Sequence, residues 1–180
     1  THDRMRQDAL ALLAEWNGEE NEHLPEPLIA EAWLRSLQEH LTRDEIGPLG
    51  DVIIHVNPDF IERVYRNTDG ASVWCDVVQS AVVETCTDIA RMALDDALLR
   101  LSETYGPAIE SWRWGDAHQA LHDHPVLGTA PILHYFVNIR QSTSGGDNTL
   151  LRGRTSGQEP DPFQNVHAAG YRGVYDFADP

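Results

Sequence analysis

Hydrophobic positions in the first two thirds of the chain recur at the three- and four-residue spacing of amphipathic helices. Each predicted helix begins at a capping residue or a proline, and glycine ends two of them. The predicted helices cover about residues 3–18, 28–41, a segment beginning at 57–59, and 77–105. Asn57-Pro58-Asp59 is a typical helix start, because a capping side chain precedes a first-turn proline and an acid that faces the helix dipole.

The pattern changes after Pro125. β-Branched and aromatic residues predict a strand over Pro131–Arg140, and strict alternation predicts another over Tyr171–Phe177. Gly145–Asn148 has the composition of a turn, and Gly153–Pro162 that of a loop. Helices followed by strands predict an α+β fold in a single segment, residues 1–180, that is helical over 1–110 and β-rich over 125–180. Both ends interrupt predicted elements, so we expect a piece of a longer protein.

Charge narrows the classes of partner. The chain has 29 acidic and 13 basic residues, all 13 of them arginine, for a net charge of −16. Nucleic acids and anionic membrane surfaces are therefore not expected partners. The absence of lysine excludes a Walker A lysine, a Schiff-base lysine and a lysine general base. We also predict no membrane-spanning segment and no signal peptide in this sequence.

A histidine-rich stretch, Trp112–Pro125, carries the densest set of reactive side chains. If it is helical, His118 and His122 share a face at the i, i+4 spacing that chelates zinc. The residues that can complete such a shell are Asp116, Asp123 and His134. If it is extended, His118, His122 and His124 point the same way because their spacings are even. A small metal-binding domain is one hypothesis; histidines hydrogen bonded in a partly buried strand or loop are the other.

Cys75 and Cys86 are predicted to be free, buried thiols. On one continuous helix they would lie about 16 Å apart, too far for a disulfide bond. A disulfide would require a bend near Val82.

Isolated acids and serines offer few further candidates. Asp176 shares a face of its predicted strand with Arg172, so we expect an ion pair, with a catalytic role as the alternative. Paired acids such as Glu19-Glu20 are expected on solvated faces. The serines at 142, 144 and 156 lie in polar loops, and no G-x-S-x-G motif occurs. These residues alone assemble no complete active site.

Taken in order, several landmarks resemble the later part of the β chain of penicillin acylases, a family that includes cephalosporin and acyl-homoserine-lactone acylases. The landmarks are Trp16-Asn17-Gly18, Pro27-Leu28 with Trp33 and Leu37, Cys86 ahead of Ala93-Leu94-Asp95-Asp96-Ala97-Leu98, Tyr105-Gly106 followed by Trp112-Arg113-Trp114-Gly115-Asp116-Ala117-His118, His124-Pro125, Gly145-Gly146-Asp147 with Thr149, and Tyr171-Arg172 leading to Asp176. The resemblance extends over essentially all 180 residues.

The resemblance implies an N-terminal-nucleophile amidohydrolase with a four-layer αββα sandwich. Such an enzyme cleaves its own precursor and exposes a serine at the start of the β chain, whose α-amino group acts as general base. It hydrolyses linear amides of small acylated compounds such as penicillins or acyl-homoserine lactones. The resemblance further implies a periplasmic or secreted enzyme, with calcium in the whole protein.

The sequence begins with Thr1 and helix-forming residues, not with the serine and core strand that open the family's β chain, so we expect the nucleophile outside this chain. The oxyanion asparagine and the calcium site are expected upstream as well. Some relatives have a charge-relay acid late in the β chain, and the resemblance implies Asp176 as the candidate for it here. The expected partner is the remainder of the acylase, namely the α chain and the N-terminal part of the β chain. The isolated segment is expected to be inactive and to self-associate through open strand edges and exposed apolar surface. A stand-alone, non-catalytic binding module is the alternative of a different class.

Overall fold

A computed structural model of the protein describes residues 2–171, 173 and 175–178. Helices come first and a small sheet follows, which confirms the predicted α+β class. The helices are α1 (His2–Glu15), α2 (Glu26–Ile46), α3 (Pro58–Tyr65), α4 (Cys86–Tyr105), α5 (Trp114–Ala117) and α6 (His134–Val137). The strands are β1 (Gln119–His122), β2 (Ile139–Ser142), β3 (Gly153–Thr155) and β4 (Asn165–Ala168). Short 3-10 helices occupy Gly47–Val52, Thr68–Cys75 and Ile109–Ser111.

Two apolar cores lie along the long helices α2 and α4. The first joins α1, α2 and α4 to the tryptophans that follow them; its main members are Leu28, Ile29, Leu94, Leu98, Leu101, Trp112 and Trp114. The second joins α2 and α4 to α3; its main members are Leu37, Leu41, Ile61, Val64, Cys75, Ile89 and Ala93. The apolar stripes expected on the two long helices are therefore the faces that these helices bury, whereas Leu10 of the stripe expected on α1 is exposed.

Helix α4 begins at Cys86 rather than at Val77, so the predicted start was wrong. Thr85 and Asp88 form a capping box, in which the Thr85 hydroxyl accepts from the Asp88 amide and the Asp88 carboxylate accepts from the Thr85 amide. This reciprocal cap satisfies two amides that would otherwise lack partners, and it fixes the helix start. The apolar residues ahead of it, such as Val82 and Val83, are exposed.

Cys75 and Cys86 form a disulfide bond, so the prediction of two free thiols was wrong. Their Cα atoms lie 4.9 Å apart because residues 76–85 turn back instead of continuing a helix. The bond joins the end of the Thr68–Cys75 helix to the first residue of α4.

The sheet has the strand order β2-β1-β4-β3. β1 pairs with β2 and β3 with β4 antiparallel, while β1 and β4 meet in parallel at Ala120 and Asn165. Two predictions here were partly wrong: Pro131–Arg140 contains α6 before β2 begins, and the predicted loop Gly153–Pro162 opens with β3. The predicted turn over 145–148 is confirmed at 147–148.

The predicted strand Tyr171–Phe177 was wrong for the residues that can be checked. Residues 171, 173 and 175–178 have no strand assignment, and the last of them form a turn. Arg172 and Val174 lie outside the described residues. Among the helices of the described part, none combines the length and the apolar character that a membrane crossing requires.

Candidate functional site

Three segments that are far apart in sequence meet around Trp114. Its indole Nε1 donates to the Gly145 carbonyl oxygen at 2.8 Å, and the Gly145 amide donates to the Glu20 carbonyl oxygen at 2.7 Å. We call Glu20, Trp114, His118, Gly145 and Asp147 the Trp114 cluster. Two of the motifs singled out in the sequence, the tryptophan-histidine stretch and the Gly-Gly-Asp turn, are thus brought together by the loop that precedes α2.

His118 is fully buried beneath Trp114, with the ring centroids 4.4 Å apart. Its Nδ1 lies 2.7 Å from the Phe163 carbonyl oxygen, and because that oxygen can only accept, Nδ1 carries the proton. Burial lowers the pKa of His118, although the Phe163 carbonyl and Asp147 act in the opposite direction. The ring is therefore a neutral packing element whose Nε2 is buried without a hydrogen-bond partner.

The other candidate histidines lie elsewhere. His122 and His124 are exposed, and the His124 ring accepts at Nδ1 from the amides of Val126 and Leu127. The structure thus does not bring His118, His122 and His124 together. Within the described residues, no group of three or more histidine, cysteine, aspartate or glutamate side chains is placed to hold a metal ion. The described side chains therefore do not support the predicted histidine site, and the calcium site expected upstream of this chain stays a prediction.

The carboxyl groups of Glu20, Glu31 and Asp147 lie close enough for their charges to interact. Burial raises the pKa of Glu31 to about 8, and the negative charges of Glu20 and Asp147 add to the rise. Burial also raises the pKa of Glu20 to about 7, with Asp147 contributing. Near neutral pH these side chains hold protons that exposed glutamates would have released. Strongly shifted acids in one place mark a functional candidate.

The Gly-Gly-Asp turn brings Asp147 near Glu20, because Gly146 packs directly against the Glu20 carboxylate. The Glu20 carboxylate lies against Gly146, where a Cβ would overlap it, and its Oε2 is buried without a partner. Asp147 is held by Thr155, whose hydroxyl donates to Oδ2 at 2.5 Å. The expectation that Glu19-Glu20 lies on a solvated face was wrong for Glu20, which is partly buried, with its Oε2 fully buried. The paired glycines before Asp147 were the one sequence signal of close approach.

Asp176 takes no part in the Trp114 cluster. Its side chain is exposed and its Oδ1 accepts from the Ala178 amide at 2.9 Å. The ion pair expected with Arg172 involves a residue outside the described part of the chain. Its nomination as a charge-relay acid stays a prediction.

A cavity of about 370 Å³ opens between α2, α4 and the loop over 159–164. Phe163 joins it to the Trp114 cluster, because this residue lines the cavity while its carbonyl binds His118. Tyr105, Asp116 and Asp161 also line it. Burial raises the pKa of Tyr105, and the two carboxylates add to the rise. This arrangement can hold protons and accept hydrogen bonds from a ligand.

The model of the family described as penicillin amidase matches residues 2–180. No curated protein matches the sequence.

Proposed function

The chain belongs to the penicillin amidase family, and on that premise we propose that it forms part of an amidohydrolase whose nucleophile is an N-terminal serine outside this chain. The family makes the protein an acylase-related hydrolase acting on amides. The proposed reaction is hydrolysis of linear amide bonds in small acylated compounds, either β-lactam antibiotics such as penicillins or acyl-homoserine lactones. The family match along the whole described chain is the observation that carries this proposal.

Amide hydrolysis through a serine nucleophile requires a general base next to the serine hydroxyl. Among the described residues, no hydrogen bond joins a serine hydroxyl to a histidine ring, and Ser144 serves to accept the Glu22 amide at 3.0 Å. These contacts are those of structural serines, which supports a nucleophile located elsewhere. In this proposal the α-amino group of the N-terminal serine takes the hydroxyl proton, the serine oxygen attacks the amide carbonyl, and the amine leaves with a proton. Water then releases the acyl group.

The Trp114 cluster is proposed to be a scaffold within the enzyme. Its buried hydrogen bonds fix the turn over 145–148 against the loop before α2, and the neutral His118 ring holds the segment before β1 against Phe163. A well-fixed turn next to a cavity is suited to position groups supplied by the rest of the enzyme. The isolated chain is accordingly proposed to be inactive.

The remainder of the acylase, meaning the α chain and the N-terminal part of the β chain, is the proposed partner. Large apolar side chains with little cover support it: Phe136 is 81% exposed and Phe177 is 93% exposed. We also propose that the whole enzyme is periplasmic or secreted. The Cys75–Cys86 disulfide supports this location, because such bonds persist in oxidising compartments.

The test is to isolate the native polypeptide that contains Trp112-Arg113-Trp114-Gly115 and to determine its intact mass and N-terminal sequence. We expect a polypeptide well above 20.2 kDa that begins with serine, and hydrolysis of phenylacetyl, glutaryl or long-chain acyl amides by the assembled enzyme. Replacement of that serine by alanine should abolish both self-cleavage and hydrolysis.

A native polypeptide that begins at or near Thr1 and hydrolyses none of these amides would overturn the proposal. A non-catalytic binding module would then replace it. Unchanged hydrolysis by the serine-to-alanine variant would overturn the assignment of the nucleophile alone.

A further inference from the structure

Two neighbouring arginines stand outside the ion pairs of the described residues. Arg152 directly precedes β3 and Arg154 lies within it; both are exposed and flank the buried Gly153. Of the twelve arginines of the described part, eight are paired with carboxylates, and the other two without an ion pair, Arg43 and Arg113, lie far from each other in the sequence. In a chain of net charge −16, two adjacent arginines without a carboxylate form a local positive exception.

Two histidines complete this group. His167 lies directly opposite Arg154 in the antiparallel pairing of β3 and β4. Arg154 Nη2 donates to His55 Nε2 at 2.8 Å, since a guanidinium group has no acceptor. His55 Nδ1 must then carry a proton, and this nitrogen is buried without a hydrogen-bond partner. We call His55, Arg152, Arg154 and His167 the Arg154 cluster.

All four side chains line one open depression of about 490 Å³, together with Ser156 and Gln158. Two side chains of α2 hold the backbone at Ile54 and His55. Gln38 donates to the His55 carbonyl at 2.9 Å, and Arg35 donates to the Ile54 carbonyl at 3.1 Å. Arg154 and His167 thus lie on paired strands, Arg152 directly precedes the first of them, and His55 lies on a segment held by α2. A site whose donors are fixed before binding loses less conformational freedom when a ligand arrives.

We propose that the Arg154 cluster binds a phosphate group. Guanidinium N–H groups match the spacing of phosphate oxygens and can bind them in pairs, and the exposed His167 imidazole can add a further donor. His55 contributes indirectly, because it accepts from Arg154 and so orients that guanidinium group. No carboxylate of the described residues forms an ion pair with either arginine, so the ligand has no internal competitor there. This proposal rests on the geometry of the cluster and does not depend on the amide chemistry proposed above.

The test is calorimetric titration of the whole purified protein with inorganic phosphate at low ionic strength. We expect saturable binding at one site, tighter than binding of acetate. The double variant Arg152→Gln/Arg154→Gln should weaken phosphate binding about tenfold or more. The matched control is Arg43→Gln, which removes the same charge from an exposed arginine outside the cluster and should leave binding unchanged.

Thermal unfolding of each variant shows whether it is folded, and the single variants Arg152→Gln and Arg154→Gln replace the double variant if it is not. Titration with glycerol 3-phosphate distinguishes free phosphate from a phosphoryl group carried by a larger molecule. If glycerol 3-phosphate binds as tightly as inorganic phosphate or tighter, the ligand is a phosphoryl group on a larger molecule. If it binds more weakly, the ligand is free phosphate. Absence of saturable phosphate binding, or equal weakening by Arg43→Gln, would overturn the proposal.

Discussion

Trp114 lies almost flat on His118, with an angle of 11° between the two ring planes. Neither side chain has any exposed surface. The indole donates to one loop and the imidazole to another, so the stacked pair holds Gly145 and Phe163 on opposite sides of the first strand. His118, which the sequence analysis considered as a metal ligand, is instead a neutral ring that packs on Trp114 and forms one hydrogen bond.

Replacing His118 by alanine should lower the free energy of unfolding by about 3 kcal/mol, because it leaves a cavity and strips the Phe163 carbonyl of its donor. Urea denaturation measures the loss. The matched control is His122→Ala, since this exposed residue of the same stretch should change stability by less than about 0.5 kcal/mol. Equal losses from the two variants would contradict the described role of His118.

Replacing Gly153 by alanine should also destabilise the fold, by about 1–3 kcal/mol, because the added methyl group would overlap His118 Nε2 in a buried site. Gly170→Ala is the control, since a Cβ there meets nothing within 4 Å. Combining Gly153→Ala with His118→Ala should cost less than the sum of the two single losses, because the smaller side chain makes room for the methyl group. Strict additivity would show that the two residues do not meet.

The buried acids predict how stability changes with pH. The pKa of Glu31 rises from an ordinary 4.5 to about 8 on folding. Between these values the folded protein binds more protons than the unfolded chain, so stability is highest near the lower value and falls as pH rises toward 8. Glu20 acts in the same direction up to about pH 7.

Glu31→Gln should therefore raise the free energy of unfolding by about 2 kcal/mol at pH 8 and flatten its decline between pH 5 and pH 8. Thermal melts across this range provide the measurement. Glu103→Gln, which changes an exposed glutamate on α4, should leave the pH profile as it is. A Glu31→Gln profile as steep as that of the unaltered protein would show that Glu31 is ionised in the folded state.

Reducing the Cys75–Cys86 disulfide should cost about 2–3 kcal/mol, because opening this short loop returns conformational freedom to the unfolded chain. Calorimetry with and without a phosphine reductant measures the loss as a lower melting temperature. The variant Cys75→Ser/Cys86→Ser should melt low in both buffers. A reductant effect that persists in this variant would mean that it acts on something other than the disulfide.

Elements with purely local causes were predictable from the sequence. Asn57 accepts from the Phe60 amide at 3.1 Å, and this cap three residues from its partner places the start of α3 as expected. The start of α4 was missed because apolar residues such as Val82 extend the helical pattern backwards, although the capping box at Thr85 stops the helix there. The wrong helix start led directly to the wrong state of the two cysteines.

The candidate site was predictable only in its parts. The tryptophan-histidine stretch and the Gly-Gly-Asp turn were both visible as motifs, but nothing local indicated that Trp114 would donate to Gly145. Glu31 gave no signal at all, because burial in the folded chain is the main cause of its raised pKa, and the charges of Glu20 and the distant Asp147 add to it. Charge and burial set by tertiary contacts cannot be read from the spacing of one helix.

The parallel pairing of β1 with β4 affects the order in which the sheet folds. Ala120 and Asn165 are separated by 45 residues (165 − 120 = 45), whereas the β1–β2 and β3–β4 pairs close much shorter loops. Closing the longer loop costs more chain entropy before any contact offsets it. The antiparallel pairs β1–β2 and β3–β4 should therefore form early and independently. The parallel pairing of β1 with β4, which joins them into one sheet, should then be the late and rate-determining step of sheet formation.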